Sequence, residues 1–161
     1  MMKNKNDYGT ENNLNLKLVI ALTRTNSEEY KRTRELVSGY GLTIAQFGVL
    51  ETLYHLGDMC INELISKTLS TSGNMTVVIK NLERDGYVIR ISSPEDKRSF
   101  NIRLTLKGRE MIERIFPRHL EDLKNGFSNL CREEKEQLIT LLKKLNGYES
   151  EQKDTTNDKN I

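Results

Sequence analysis

Apolar residues recur along this chain with two periods, one typical of helices and one of strands. Between residues 70 and 84 they lie three or four positions apart, so that one helix face carries Met75, Val78, Ile79 and Leu82. The opposite face is short, polar and basic, with no acid before Glu83. Its members are Ser72, Asn74, Thr76, Lys80, Asn81 and Arg84. The pattern stops at Asp85-Gly86, so the sequence predicts one helix with a polar outer face.

The period changes to two after Gly86, which predicts a β-hairpin. Two alternating runs flank a turn at residues 93–98: Tyr87, Ile89 and Ile91 alternate with Val88, Arg90 and Ser92, and Phe100, Ile102 and Leu104 alternate with Asn101 and Arg103. Lys97 and Arg98 lie in the turn, so the tip of the predicted hairpin is charged.

Three helices are predicted ahead of the polar-faced helix. The first begins at Asn13 and ends at the glycines of residues 39–41. The second begins at a capping box formed by Thr43 and Gln46 and ends at Gly57. A short third helix spans residues 61–68. Short helix, tight turn, second helix and hairpin is the order of a winged helix-turn-helix.

Two helices are predicted after the hairpin. Thr105 can cap the first, a long helix that Pro117 should kink or locally break. The second spans residues 132–145 and carries a leucine-rich stripe. Residues 1–12 and 146–161 are polar and have little to bury, so we expect a mobile N-terminus and a disordered tail.

Composition and charge narrow the class of protein. Of the 161 residues, 36% are hydrophobic and 30% charged, which favours a helical, surface-rich chain. The net charge is only +2, but residues 61–109 contain nine Lys or Arg against five Asp or Glu, so the basic excess coincides with the helix and hairpin. No apolar run approaches the roughly 20 residues that span a bilayer. No apolar signal core follows the N-terminus, so we expect a cytoplasmic protein with no membrane partner.

The polar helix face and the hairpin tip suit the two grooves of double-stranded DNA. Amides and hydroxyls beside the free N–H groups of a helix N-terminus can contact base edges and phosphates in the major groove. Lys97 and Arg98 suit a narrow minor groove, where negative potential is concentrated. Either piece alone is better explained as a solvated helix or loop. Their order and adjacency favour DNA binding.

The predicted fold class is mainly α with a small β-hairpin wing. A winged helix-turn-helix domain at residues 42–104 is flanked by dimerisation helices at residues 13–41 and 105–145. The apolar stripes of these flanking helices lie outside the winged unit and need a partner. They could fold back within one chain. A homodimer is favoured, because a two-fold pair presents two recognition helices about 34–36 Å apart, one turn of DNA.

Six segments of the chain together resemble one known family. They are Ile61-Asn62-Glu63-Leu64, Thr71-Ser72-Gly73-Asn74-Met75-Thr76, Asn81-Leu82-Glu83-Arg84-Asp85-Gly86-Tyr87-Val88, Pro94-Glu95-Asp96-Lys97-Arg98, Leu104-Thr105-Leu106-Lys107-Gly108 and the last helix with its approach, residues 130–145. Each segment alone is a modest signal, but their order is specific. The chain resembles the MarR family (multiple antibiotic resistance regulators), dimeric bacterial winged-helix repressors and activators.

The resemblance implies roles for residues of the helix and the hairpin. Residues 72–80 would enter the major groove, and Arg98 would reach the minor groove. Asp96 matches a family Asp-x-Arg pattern in which the acid orients the arginine, although an ordinary turn residue is the alternative. Lys97 stands where many members have a second arginine, which keeps the charge but loses the planar fork. The predicted DNA-binding residues are Ser70, Thr71, Ser72, Gly73, Asn74, Thr76, Lys80, Arg84, Arg90, Asp96, Lys97 and Arg98.

The resemblance also implies a way to regulate DNA binding. Family members often bind small phenolic or otherwise aromatic compounds between the dimerisation helices and the winged unit, or sense oxidants through cysteine. An inducer pocket of this kind would draw on Tyr30, Phe47, Tyr54, His55, Met59, Phe116 and His119. Aromatic residues at these spacings are more often part of a core, and the sequence names no ligand.

The two cysteines are too few for a disulfide framework, and no Cys/His cluster has metal-ligand spacing, so we predict no metal and no cofactor. Cys60 and Cys131 each precede a helix and are followed three residues later by Glu63 and Glu134, which is capping-box spacing. A helix N-terminus stabilises a thiolate, so either thiol could react with an oxidant if exposed. The nearby glutamate opposes this effect, and simple drift from Ser or Thr is the better explanation.

The sequence therefore predicts a DNA-binding transcriptional regulator, with repression the favoured mode. It would bind a pseudo-palindromic operator as a homodimer and be released by a small aromatic or phenolic ligand or by an oxidant. The alternative is a winged-helix module that binds protein without sequence-specific DNA binding. An enzyme is not predicted, because the sequence offers no nucleophile–base pattern and no glycine-rich phosphate loop.

Overall fold

The computed structural model describes residues 6–68, 72–92 and 100–148, without the side chains of Ser72 and Gly73. Its elements in chain order are α1 (Thr10–Ser38), α2 (Ile44–Leu56), β1 (Met59–Cys60), α3 (Ile61–Thr68), α4 (Ser72–Arg84), β2 (Val88–Ser92), β3 (Phe100–Leu104), α5 (Leu106–Gly126) and α6 (Arg132–Leu145). The predicted fold class, mainly α with a small hairpin wing, is confirmed. None of the helices in these ranges is long and apolar enough to cross a membrane.

The chain divides into two compact units, one ending at Leu123 and one beginning at Lys124. The first unit has a single core to which α2, α4 and α5 contribute most of the side chains, with further contributions from α1, α3 and the strands. Its fully buried members are Val37, Val49, Leu50, Leu64, Met75, Ile79, Leu82, Val88, Ile102, Ile112 and Ile115. The second unit contains α6, none of whose side chains is buried.

Local capping fixes the ends of α2 as the sequence predicts. Thr43 Oγ1 accepts a hydrogen bond from Gln46 N at 3.2 Å, and Gln46 Oε1 accepts one from Thr43 N at 2.9 Å. Gly57 ends the helix with φ of 84°, a left-handed value that favours glycine. Helix α1 begins at Thr10, three residues before the predicted Asn13.

The start of α5 is fastened to the base of the hairpin. Thr105 Oγ1 accepts a hydrogen bond from Gly108 N at 3.1 Å, which confirms the predicted cap. A Cβ atom at Gly108 would collide with the backbone oxygen of Tyr87, so glycine permits this close approach. Of the predicted kink or local break at Pro117, the break does not occur, since α5 continues to Gly126, and the kink stays a prediction. Proline removes one N–H from the ladder, and the helix is continuous on both sides of it.

The sheet has the antiparallel strand order β1-β3-β2. In the hairpin, Val88 lies opposite Leu104 and Arg90 opposite Ile102, while Ile89 lies opposite Arg103. Val88 and Ile102 are fully buried, whereas Ile89 is 44% exposed. The apolar residues of the two alternating runs, Ile89 and Ile91 in β2 and Ile102 and Leu104 in β3, therefore lie on opposite faces of the sheet. Core packing selects Val88 for the inner face and leaves Ile89 exposed, with Ile91 half-buried.

Candidate nucleic-acid interface

Helix α4 is held by an apolar stripe that faces the core, as the sequence predicts. Met75, Ile79 and Leu82 are at most 1% exposed, and Val78 is 6% exposed. The helix packs against α2, α3 and β2. Four side chains spaced over the length of a 13-residue helix fix its rotation about its own axis. The orientation of the opposite face is therefore set by the core.

The outer face of α4 is polar and open. Asn74, Thr76, Lys80 and Arg84 are all exposed, and Asn81 is half-buried. No salt bridge joins Lys80 to another residue within the described ranges, so its ammonium is available to an external anion. The first turn carries no acid that would offset the positive end of the helix dipole. This combination of amides, a hydroxyl and a free cation is the surface that a major groove accepts.

Two of the predicted DNA-binding arginines are paired within the chain. Arg84 donates to both carboxylate oxygens of Asp85, at 2.8 and 3.1 Å. This side-chain hydrogen bonding raises the pKa of Arg84 and lowers the pKa of Asp85. Arg90 donates from Nε to Glu83 Oε2 at 3.2 Å. These guanidinium groups would contact phosphate only after leaving, or while sharing, a carboxylate.

The turn between α4 and the hairpin is held by several local contacts. Gly86, with φ of 76°, reverses the chain, and Tyr87 N donates to Leu82 O at 2.9 Å. Lys107 Nζ donates to Asp85 O at 2.7 Å, and its ammonium lies 4.6 Å from the centre of the Tyr87 ring. These contacts link the end of α4, the base of the hairpin and the start of α5 to one another.

A third strand, absent from the sequence prediction, supports the hairpin from the other side. Met59 of β1 pairs with Ile102, and Cys60 with Asn101. Arg103 donates from Nε to Asp58 Oδ2 at 2.6 Å, and this hydrogen bond raises the pKa of Arg103. Strand β3 is therefore paired on both of its edges, with β1 on one side and β2 on the other.

Several predicted residues lie outside the described ranges. Ser70 and Thr71 precede α4 in the sequence, and Asp96, Lys97 and Arg98 fall between β2 and β3. Ser72 and Gly73 are placed in α4 by their backbone only. Their roles in DNA binding stay predictions.

Five of the seven predicted pocket residues form one aromatic cluster. Phe47 and His119 have ring centroids 5.1 Å apart, His55 and Phe116 are 4.7 Å apart, and Tyr54 and His55 are 5.1 Å apart. His119 is 7% exposed, and its Nδ1 has no hydrogen-bond partner among the described residues. The two remaining predicted residues lie elsewhere: Tyr30 is exposed on α1, and Met59 is buried in β1.

Both cysteines occupy the predicted positions before helices. Cys60 N donates to Glu63 Oε2 at 2.8 Å, and Cys131 N donates to Glu134 Oε2 at 2.8 Å. The backbone bond from Cys60, followed by a bond from its thiol, lowers the pKa of Glu63. Cys60 is half-buried and Cys131 is exposed.

One exposed residue of α4 escaped the sequence prediction. Val77 is 56% exposed, although it stands in an apolar run with Val78 and Ile79. The signal was present in the sequence, because successive helical residues are 100° apart and Val77 falls on the face of Asn74 and Lys80. In a run of three consecutive apolar residues, hydrophobicity alone does not show that Val77 is the exposed one.

Comparison with known proteins gives a consistent result. The MarR family model matches residues 42–100. The uncharacterized HTH-type transcriptional regulator YkoM of Bacillus subtilis (strain 168) is 38% identical over 139 residues, covering 86% of this chain and 89% of that protein. The HTH-type transcriptional regulator MhqR of the same organism is 35% identical over 130 residues, covering 81% and 90%.

A solved structure agrees with these relatives. Wild-type MarR from E. coli, in its apo form, superposes with a TM-score of 0.67 at 28% identity, covering 80% of this chain and 96% of that chain. Helices, sheet and sequence thus lead to the same group of proteins, none of which is an enzyme. The chain belongs to the MarR family of helix-turn-helix transcriptional regulators, with the DNA-binding fold of that family.

Proposed function

We propose that this chain is a repressor that binds a pseudo-palindromic DNA operator as a homodimer. The observation that carries the proposal is α4, whose apolar stripe is buried in its own core while its polar, basic face is exposed. In the complex, α4 enters the major groove, and the hairpin tip with Asp96, Lys97 and Arg98 reaches the minor groove. An occupied operator is closed to the transcription machinery, so binding lowers transcription.

Exposed apolar side chains on two helices support the homodimer. On α1 and just before it they are Tyr8, Leu14, Leu16, Leu18, Val19, Ile20 and Tyr30. On α6 they are Leu138, Ile139, Leu141 and Leu145. Burying such side chains gains about 25 cal/mol for each Å² of apolar surface removed from water. A two-fold partner that covers them also doubles the number of α4 helices available to one operator.

We further propose that a small aromatic or phenolic compound releases the operator. The cluster around His119 joins α2 of the winged unit to α5, so a ring inserted there would shift one helix against the other. The unpartnered Nδ1 of His119 would form a hydrogen bond with a phenolic hydroxyl. An oxidant acting on Cys60 or Cys131 is the second proposed signal.

Selection from a pool of random duplexes at moderate salt tests the operator and the dimer together. The retained DNA should contain two inverted half-sites about one turn apart. Sedimentation equilibrium of the free protein should give twice the monomer mass. A single half-site with a monomeric protein would contradict the dimer.

An empty selection has two explanations that one repeat separates. A protein purified with its inducer bound would recover DNA binding after unfolding and refolding. A protein that still retains no duplex would support the protein-binding alternative instead. Once an operator is known, transcription from a promoter that contains it should fall when the protein is added, and a rise would contradict repression.

A further inference from the structure

Val77 occupies the middle of the exposed face of α4. Its side chain is 56% exposed, while its neighbours Val78 and Ile79 are 6% and 0% exposed. It follows Asn74 by three positions and precedes Lys80 by three, a spacing that places all three residues on one side of the helix. An aliphatic group thus stands between an amide and an ammonium on the surface that we propose faces DNA.

Exposure of one aliphatic residue is ordinary on protein surfaces, so exposure alone proves nothing. The position and type of this residue are more informative. Valine is a poorer helix former than alanine because its branched Cβ restricts its rotamers, and an exposed valine gains little burial in return. Its local contribution to folding is therefore small, and its exposed surface is open to a contact outside the chain.

The residue four positions before Val77 is a glycine, Gly73. Side chains of a helix lean towards its N-terminus, so the side chain of Val77 projects over the turn that contains Gly73. Glycine has no side chain with which to cover it. Among the described residues Val77 is 56% exposed, which leaves room for a surface that approaches this side of the helix.

The major groove offers a valine one specific partner. Base edges there carry hydrogen-bond donors and acceptors, which an aliphatic group cannot satisfy, and the C5-methyl group of thymine, which it can contact. We propose that Val77 reads thymine in each operator half-site by packing against this methyl group. The inference rests on the proposed DNA-binding function and adds to it one base and one contact.

Replacing thymine by deoxyuridine tests the contact without altering the protein. The operator from the selection is resynthesised with one thymine at a time changed, symmetrically in both half-sites, so that only methyl groups are lost. For the wild-type protein, one symmetric pair should lower affinity about fifteenfold, or about fourfold for each lost methyl contact.

The variant Val77→Ala assigns the effect to this residue. It should bind the unmodified operator about fifteenfold more weakly than wild type, and the deoxyuridine change at the sensitive pair should cost it less than about twofold. Its melting temperature should not fall, because an exposed valine is exchanged for a better helix former. The matched control Ile89→Ala removes a 44% exposed aliphatic group from β2 and should keep the wild-type deoxyuridine pattern.

Three results would overturn the inference. Deoxyuridine could weaken wild type and Val77→Ala equally at every position, or weaken neither, while the operator is still bound. The protein would then bind DNA without this contact, and the proposed function would stand. If wild type retains no duplex even after refolding, the DNA-binding proposal fails, and the role of Val77 fails with it.

Discussion

Helices α4 and α6 have nearly the same length, 13 and 14 residues, yet their apolar stripes have different surroundings. The stripe of α4 is at most 6% exposed and comprises Met75, Val78, Ile79 and Leu82. Four members of the stripe of α6, Leu138, Ile139, Leu141 and Leu145, are 40% to 63% exposed, and the fifth, Leu142, is half-buried. Periodicity alone thus predicts a helix but not what covers it. A stripe covered by its own chain holds the polar face of α4 outward, whereas the stripe of α6 is available to a second chain.

The first turns of α4 and α6 differ in the acidic residues that they carry. Helix α6 begins with Glu133 and Glu134, which complement the positive end of its dipole. Helix α4 has no acid in its first turn and offers Asn74 there instead. The positive end of the α6 dipole is thus balanced by acids of its own chain. The positive end of the α4 dipole has no such acid and remains suited to phosphate.

The largest expected effect comes from the covered stripe. Leu82→Ala should lower the free energy of unfolding by about 2–5 kcal/mol, because it leaves a cavity at a fully buried site. Urea unfolding at several protein concentrations measures this loss. The control Lys80→Ala, on the exposed face of the same helix, should change stability by less than about 0.5 kcal/mol. A similar loss in both variants would mean that α4 is not anchored by one face.

The exposed stripe should behave differently. Together, Leu138→Ala and Leu141→Ala should raise the dimer dissociation constant roughly thirtyfold or more, because each removes apolar area from the proposed interface. Sedimentation equilibrium gives this constant. Circular dichroism of the monomer should keep the helical content of the wild type. If the double variant instead loses stability equally at all protein concentrations, the stripe of α6 packs within its own chain.

Placing an acid at the start of α4 should separate stability from DNA binding. Asn74→Asp should stabilise the fold by about 0.3–1 kcal/mol through the helix dipole. It should also weaken operator binding by at least about tenfold, since the new charge faces phosphate. Thermal unfolding and fluorescence anisotropy measure the two quantities, with Asn74→Ala as the control that adds no charge. Equal operator affinity for Asn74→Asp and Asn74→Ala would place this turn away from the DNA.

The smallest expected effect is a loss of stability at low pH that depends on Glu133 at the start of α6. The pKa of Glu133 is lowered, first by its own backbone N–H and then by the Cys131 thiol. A lowered folded-state pKa adds stability above the ordinary glutamate value and loses it as the pH falls through the lowered one. Between about pH 5 and pH 3, wild type should therefore lose slightly more stability than Glu133→Gln. The control Glu121→Gln should follow wild type in urea unfolding across this range, and coincident profiles for all three proteins would contradict the assignment.

Much of the fold could be predicted because its signals are local. The capping box of Thr43 and Gln46, the glycine stop at Gly57 and the bounds of α6 depend on residues within four positions of each other. Pairings between distant residues gave no such signal. The sequence does not reveal that Met59 pairs with Ile102, nor that the alternating residues of β2 and β3 face opposite sides of the sheet.

The candidate site likewise has features that local sequence signals predict and features that they do not. The exposure of Asn74, Thr76 and Lys80 follows from helical period, and the structure places them where the sequence predicts. The pairing of Arg90 with Glu83 joins a helix to a strand, so a linear pattern could not reveal it. The apolar run at residues 77–79 conceals one exposed residue, because hydrophobicity does not report direction.

The salt dependence of operator binding tests most directly whether the exposed face of α4 binds DNA in a dimer. With about 6–10 phosphate contacts, wild-type affinity should fall roughly 10³–10⁵-fold between 50 and 200 mM salt. Lys80→Ala should reduce the slope of log affinity against log salt by about two, one contact from each subunit. Arg84→Ala, which removes a cation already paired with Asp85, should reduce it less. A Lys80→Ala slope equal to that of wild type would contradict the account.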